Sequence, residues 1–164
     1  MKKSVMDPSL PDLILDLLPE AEMWRCDQCG QCSGVCPSYR HGGIRTREVI
    51  ERASTGSLDL DGDRSIWECM MCQGCTERCQ LGADPALVIT LVRNLAAEAG
   101  NRPECFADEA RLFVRTGLSF PCTGMTKKLR REMGLPDLEV DEASLSDVRL
   151  IVERTRMGRL GLEE

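Results

Sequence analysis

The chain has 164 residues, of which 42% are hydrophobic, and this suits one globular domain or a small domain with extensions. Acidic residues outnumber basic ones by 27 to 21, so the net charge of −6 favours a protein partner over nucleic acid. No apolar run approaches the roughly 18 residues of a membrane span, and the N-terminus lacks the apolar core of a secretory signal. We therefore expect a soluble, cytoplasmic protein.

The first predicted element is an amphipathic helix from Ser9 to Leu18. Its apolar residues recur at helical spacing, with Ser9 as the expected N-cap and Pro19 as the stop. The pattern favours a helix that packs on its own domain, and docking on a partner is the alternative.

Eight of the ten cysteines lie in two copies of one pattern, W-x-C-x₂-C-x₂-C-x₃-C, which begin at Trp24 and Trp67. This is the spacing with which bacterial-type ferredoxins hold [4Fe–4S] clusters, and there the fourth cysteine of each run binds the cluster of the other run. The pattern predicts two [4Fe–4S] clusters. Their ligands are Cys26, Cys29, Cys32 and Cys79 for the first, and Cys69, Cys72, Cys75 and Cys36 for the second.

Zinc is the competing metal, because C-x₂-C pairs also bind zinc. Structural zinc sites usually separate two such pairs by a longer loop, so the uninterrupted triple favours iron–sulfur. The copies differ in one respect: Pro37 follows the first run, whereas Gln80 follows the second. This difference leaves every ligand in place and is expected to change how a cluster is shielded.

The sequence also predicts roles for the tryptophans, the other cysteines and the basic residues outside the two patterns. Trp24 and Trp67 are predicted to pack in the core beside the clusters, and the cysteines outside the runs are predicted to be small buried hydrophobic residues. A basic segment follows the first run and is expected to face solvent; alternatively, it favours the reduced form of a cluster or meets an acidic partner. The outlying cysteines are Cys105 and Cys122, and the basic residues are Arg40, His41, Arg45 and Arg47.

The residues between the two runs, and those after the second run, have the apolar spacing of helices. Asp84 is the expected N-cap of one helix and Ser144 that of the last, and glycines follow the helix ends, with Gly56 as the expected C-terminal cap of the helix between the runs. Apolar faces are predicted at Phe106, Ala110, Phe113 and Val114, and at Val148, Ile151, Val152 and Thr155. The predicted helices are Ile44 to Ser54, Ala86 to Ala99, Glu104 to Thr116, Thr126 to Met133 and Leu145 to Met157.

These elements predict a mostly α fold. The chain between the runs has room for a helix, so we expect the helical form of the two-[4Fe–4S] ferredoxin-type domain, related to the iron–sulfur domains of succinate dehydrogenase-type proteins. Helical extensions flank it on both sides. The predicted divisions are an N-terminal docking segment at 1–22, the two-cluster domain at 23–100 and a C-terminal extension for subunit packing at 101–164.

Nearly the whole chain is similar to HdrC, the iron–sulfur electron-transfer protein of heterodisulfide reductase. Besides the cysteine runs, the similarity includes the segments I-T-L-V-R-N-L-A, G-L-S-F-P and M-G-L-P. The resemblance implies a non-catalytic electron relay. In that family the partner HdrA carries flavin, and the partner HdrB carries noncubane clusters that reduce the coenzyme M–coenzyme B heterodisulfide of methanogenesis. HdrC passes electrons from HdrA to HdrB, and a hydrogenase or a formate dehydrogenase supplies them.

Three other interpretations remain open. The chain is similar to the equivalent protein of heterodisulfide reductase-like complexes of sulfur oxidation, where electrons flow the other way. The iron–sulfur protein of a glycolate- or glycerol-phosphate-type dehydrogenase is a second alternative, although such chains normally carry C-C-G repeats that are missing here. A non-redox zinc scaffold is the third, and metal analysis separates it from the others.

Overall fold

The computed structural model describes residues 6–160, and within that range the secondary structure is entirely helical. The mostly α prediction is confirmed. The chain divides into two compact units, Met1–Arg102 and Pro103–Glu164. The first unit contains α1 Leu10–Leu17, α2 Gln31–Val35, α3 Pro37–Arg40, α4 Thr46–Thr55, α5 Gly74–Glu77 and α6 Pro85–Glu98, with short 3₁₀ turns at Pro19–Ala21, Met23–Arg25 and Ser65–Glu68. The second contains α7 Glu104–Thr116, α8 Gly124–Glu132, α9 Glu142–Arg154 and a 3₁₀ turn at Arg156–Leu160.

The core of the first unit lies where α4 packs against α1 on one side and α6 on the other. The packing role predicted for α1 is confirmed, because Leu10 and Ile14 are fully buried, while Leu13 and Leu17 on its other side are partly exposed. The fully buried large side chains of this core are Leu10, Ile14, Ile44, Ile50, Ile66, Val88, Ile89 and Val92.

Two of the predicted helix ends are set by identifiable contacts. Gly56 ends α4 with a φ of 68°, and a Cβ there would lie 2.2 Å from the Asp7 carbonyl oxygen, so only glycine fits. Asp84 caps α6, because its carboxylate accepts a hydrogen bond from the Leu87 backbone N–H. Both assignments from sequence are confirmed.

In the second unit the bounds of α7 are as predicted, and its predicted apolar face is confirmed in part, because Ala110, Phe113 and Val114 are half-buried. Ala107 is the buried residue of this helix, whereas Phe106 is 43% exposed. The predicted start of the last helix is also wrong. Asp141 is the N-cap of α9, because its carboxylate accepts from both the Ser144 backbone N–H and its hydroxyl, so the helix starts before Ser144.

A side-chain cap also explains the start of α8. The Thr123 hydroxyl caps α8 by accepting from the Thr126 backbone N–H, and this helix therefore starts at Gly124 instead of Thr126. On α9, Leu145 and Val152 are buried while Ile151 is 61% exposed, so the predicted apolar face is rotated.

None of the described helices combines the length and the apolar character needed to span a membrane.

Candidate iron–sulfur sites

Two cavities in the first unit collect the eight cysteines of the runs. The first is lined by Cys26, Cys29, Cys32 and Cys79. The second is lined by Cys36, Cys69, Cys72 and Cys75. Each cavity therefore takes three cysteines from one run and the last cysteine from the other, which is the grouping of residues that the ferredoxin pattern predicts.

The first three cysteines of each run converge because the loop turns sharply twice. In the first copy Gln28 has a φ of 63° and Gly30 a φ of 80°; in the second, Met71 has a φ of 53° and Gln73 a φ of 60°. These are left-handed conformations, which cost a non-glycine residue roughly 1–2 kcal/mol. Only Gly30 signals this geometry in the sequence, and the same turns in the second copy could not be predicted from residue type.

Each run then enters a short helix that is tied to a longer one. In the first copy the Ser33 hydroxyl accepts a hydrogen bond from the Arg47 backbone N–H at 2.9 Å, at the start of α4. In the second, the Thr76 hydroxyl donates to the Asp84 carboxylate, and it also lies 3.4 Å from the Ala86 backbone N–H at the start of α6. Both hydroxyls directly follow the third cysteine of a run, a match that aligning the two copies could have found.

In each site, the third cysteine of the run lies in partly desolvated surroundings. Burial raises the pKa of Cys32 above its ordinary value and raises the pKa of Cys75 to about 11. Binding of iron requires thiolates, so the positive charge of the metal must offset the cost of deprotonating these thiols.

The donor set of each site fits a [4Fe–4S] cluster. Besides four thiols, the first cavity is lined by two carboxylates, and both have other partners: Asp27 accepts from the Cys29 backbone N–H, and Asp84 caps α6. Thiolates are the soft ligands that iron–sulfur clusters take. Among the described residues, no three Cys, His, Asp or Glu side chains are close enough together to hold one metal ion.

Residues 22–83 match the family model described as a 4Fe–4S dicluster domain. The chain is 32% identical to a C-type iron–sulfur subunit of the CoB–CoM heterodisulfide reductase of Methanocaldococcus jannaschii, over 82% of this chain and 75% of that protein. It is 34% identical to the C-type subunit of the H₂:CoB–CoM heterodisulfide,ferredoxin reductase of Methanothermobacter thermautotrophicus, over 82% and 76%. A protein of Archaeoglobus profundus that is like the heterodisulfide reductase C-type subunit is 29% identical over 98% and 87%. The chain belongs to the HdrC family of heterodisulfide reductase subunits.

As a member of this family the chain is an iron–sulfur subunit suited to electron transfer, and its cofactors are two [4Fe–4S] clusters. The family resemblance and the cofactors predicted from sequence are confirmed.

Some predictions about residues around the sites are wrong. Trp24 is 58% exposed and does not pack in the core, whereas Trp67 does, with its indole N–H donating to the Asn101 carbonyl at 3.1 Å. Of the two cysteines outside the runs, Cys105 is exposed and Cys122 half-buried, so neither is the buried hydrophobic residue that was expected.

The basic segment after the first run faces solvent, as expected. Arg40, His41, Arg45 and Arg47 are all exposed, and only Arg47 lines the first cavity. The residues that follow the two runs lie at different sites. Pro37 lines the second cavity, whereas exposed Gln80 lines the first.

Proposed function

We propose that the chain is the electron relay of a heterodisulfide reductase complex and that the two groups of four cysteines are its cluster ligands. The grouping of the cysteines supports this most directly. Each site takes its fourth cysteine from the other run, so the two runs together hold both clusters side by side. Cys36 and Cys79 each end one run and line the cavity of the other. When bound, [4Fe–4S] clusters supply one-electron transfer without proton transfer.

In this proposal electrons pass from the flavin protein HdrA to HdrB, where the coenzyme M–coenzyme B heterodisulfide is reduced in methanogenesis. The names of the relatives support that assignment, since they are C-type subunits of CoB–CoM heterodisulfide reductases. The chain's own residues hold the clusters, shield them and dock on neighbours. A hydrogenase or a formate dehydrogenase is the indirect electron source.

The surfaces of the chain support docking on other proteins of the complex. In the second unit, several large apolar side chains are mostly exposed and would lose contact with water if a partner covered them. They are Phe120, Met125, Met133 and Ile151, at 78%, 65%, 65% and 61% exposure. We assign this unit to subunit packing, and the outer side of α1, with Leu13 and Leu17, to a further docking segment.

The ligand assignment is tested by asking which cluster loses a ligand. We expect Cys36→Ser to change the electron paramagnetic resonance (EPR) signal that Cys72→Ser changes, and Cys79→Ser to change the signal that Cys29→Ser changes. Cys105→Ser, outside both cavities, is the matched control and should leave both signals and the iron content unchanged. If Cys36→Ser behaved instead like Cys29→Ser, each run would bind its own cluster and the assignment would be wrong.

The relay is tested in a complex reconstituted with HdrA and HdrB. Cys32→Ser should stop heterodisulfide reduction while the flavin of HdrA is still reduced by its donor, because only the path between them is interrupted. Cys105→Ser again serves as control. Undiminished heterodisulfide reduction by Cys32→Ser would sink the proposal, as would isolation of the native protein without HdrA and HdrB partners.

A further inference from the structure

Arg93, on α6, has a fixed position behind the second site. Its Nε donates to the Ile66 carbonyl at 2.8 Å, and a terminal nitrogen donates to the Cys69 carbonyl at 2.6 Å. The guanidinium also stacks on the Trp67 ring, 5.5 Å from its centroid. Three contacts on one 3₁₀ turn and the first cysteine of the run thus hold a cation at a set place beside a ligand of the second site.

The charge of Arg93 has no carboxylate partner among the described residues, since both of its hydrogen bonds go to carbonyl oxygens. The side chain is half-buried, and burial lowers its pKa while the charge of Cys69 raises it. An arginine stays protonated in proteins, so the positive charge persists. A charge in this position acts through a medium of lower dielectric than water and is less screened than an exposed one.

The residues that line the second site do not offset this charge. Within the described part of the chain, its lining contains no Asp, Glu, Lys, Arg or His side chain. The first site differs, because Asp27, Asp84 and exposed Arg47 all line it. When α4 and α6 are aligned by their first residues, Val49 is equivalent to Val88. Exposed Ser54 is then equivalent to Arg93.

We propose that Arg93 raises the reduction potential of the cluster held at the second site and so makes that site the preferred position of the electron. Reduction adds one electron and one negative charge there, and no proton is needed because the arginine is already charged. The nearby cation stabilises the reduced form more than the oxidised form. Arg93 is a positioning residue by this account: it acts through Cys69 and the field at the site. The inference rests on the proposed ligand assignment.

The test is a dithionite titration of the cluster-loaded protein, followed by EPR. Arg93→Gln removes the charge and should lower the reduced-to-oxidised ratio of the second cluster about tenfold at fixed potential, which is 59 mV for a one-electron couple. Arg93→Lys keeps a charge and should recover most of the shift, whereas a purely structural role would not be rescued by charge. The matched control is Arg47→Gln at the first site, where solvent screens the arginine and a smaller shift is expected.

A second variant covers the case in which Arg93→Gln loses its cluster. Arg93→Met removes the charge but keeps a long apolar side chain beside Trp67, and the potential of the second cluster should fall in this variant by the same amount. Equal potentials of the second cluster in the unmodified protein, Arg93→Met and Arg93→Lys would overturn the inference.

The two proposals fail in different ways. If the unmodified protein lacks a second cluster, or Cys36 binds the first one, the ligand assignment is wrong. If two clusters are present with the proposed ligands and the Arg93 variants leave both potentials unchanged, only the role of Arg93 is wrong.

Discussion

The two cysteine runs have the same backbone path but different surroundings. In both, the residue before the tryptophan is buried, the backbone turns left-handed twice, and a hydroxyl after the third cysteine contacts the next long helix. The buried positions of α4 and α6 also match, with Val49 and Ile50 equivalent to Val88 and Ile89. The backbone geometry around the cysteines is therefore repeated with little change.

The residues that surround the two runs differ. Trp24 is mostly exposed, while Trp67 is held by Asn101 and Arg93. The arginine nearest the first site, Arg47, faces solvent, and the one behind the second site is half-buried. A repeat can therefore conserve the arrangement of its cysteines and still set its two copies apart electrostatically, because charge and shielding come from residues outside the motif.

Cluster removal gives the largest expected effect, and it tests whether the two units depend on the cofactors to different degrees. The first unit has its cysteines and its core in contact, so we expect it to unfold when the clusters are stripped with an iron chelator. Hydrogen exchange should then show loss of protection in α4 and α6. The internal control is α7 and α9, which contain no ligand; retained protection in α4 without the clusters would contradict the prediction.

Loss of the cap of α6 should be the next largest effect. Asp84→Ala removes an acceptor for the Leu87 N–H and a partner of Thr76, so we expect the first unit to lose roughly 1–2 kcal/mol of stability. Asp84→Asn keeps a capping oxygen and is the control, with a smaller loss. Native-state hydrogen exchange of α6 in the cluster-loaded protein measures both. If the two variants lost the same stability, the cap would not be the cause.

Exchanging the turn residues of the two copies tests whether their backbone is truly equivalent. Gly30→Gln should destabilise the first unit by roughly 1 kcal/mol, because a side chain is strained at this φ, and Gln73→Gly should relieve part of the same strain in the second copy. The nearest atoms to a Cβ at Gly30 belong to Arg47, at an ordinary 3.7 Å, so the backbone is the source of the cost. The midpoint of thermal cluster loss should move in opposite directions in the two variants.

The smallest effect concerns the second unit alone. Hydrogen bonds from Ser144 hold the pKa of Asp141 below its usual value, so the stabilising contribution of its carboxylate is present above about pH 4 and is lost as the pH falls through the lowered pKa. Helical protection at the start of α9 should weaken accordingly in acid. Asp141→Asn caps without titrating, and its α9 should respond less to pH; an identical response would rule Asp141 out as the group involved.

The sequence alone determined the cofactors, the family, the helical class and the three longer helices of the first unit, although α4 starts at Thr46 and not at the predicted Ile44. The short helices α2, α3 and α5 were not predicted. Cysteine spacing is set by cluster geometry and can therefore be recognised within a short stretch of sequence. The same is true of the caps at Asp84 and Gly56. The same local logic failed at α9, where Ser144 was the expected cap and the hydrogen bonds show that Asp141 holds that position instead.

Burial and electrostatics were decided by the tertiary structure. Trp24 and Trp67 occupy the same position in the repeat, and nothing within the motif indicates that only one of them reaches the core. Nor does the spacing show that Arg93 lies behind Cys69, 24 residues away along the chain. Exposure and the field at a cluster depend on which distant segments pack nearby, and residue spacing does not encode that.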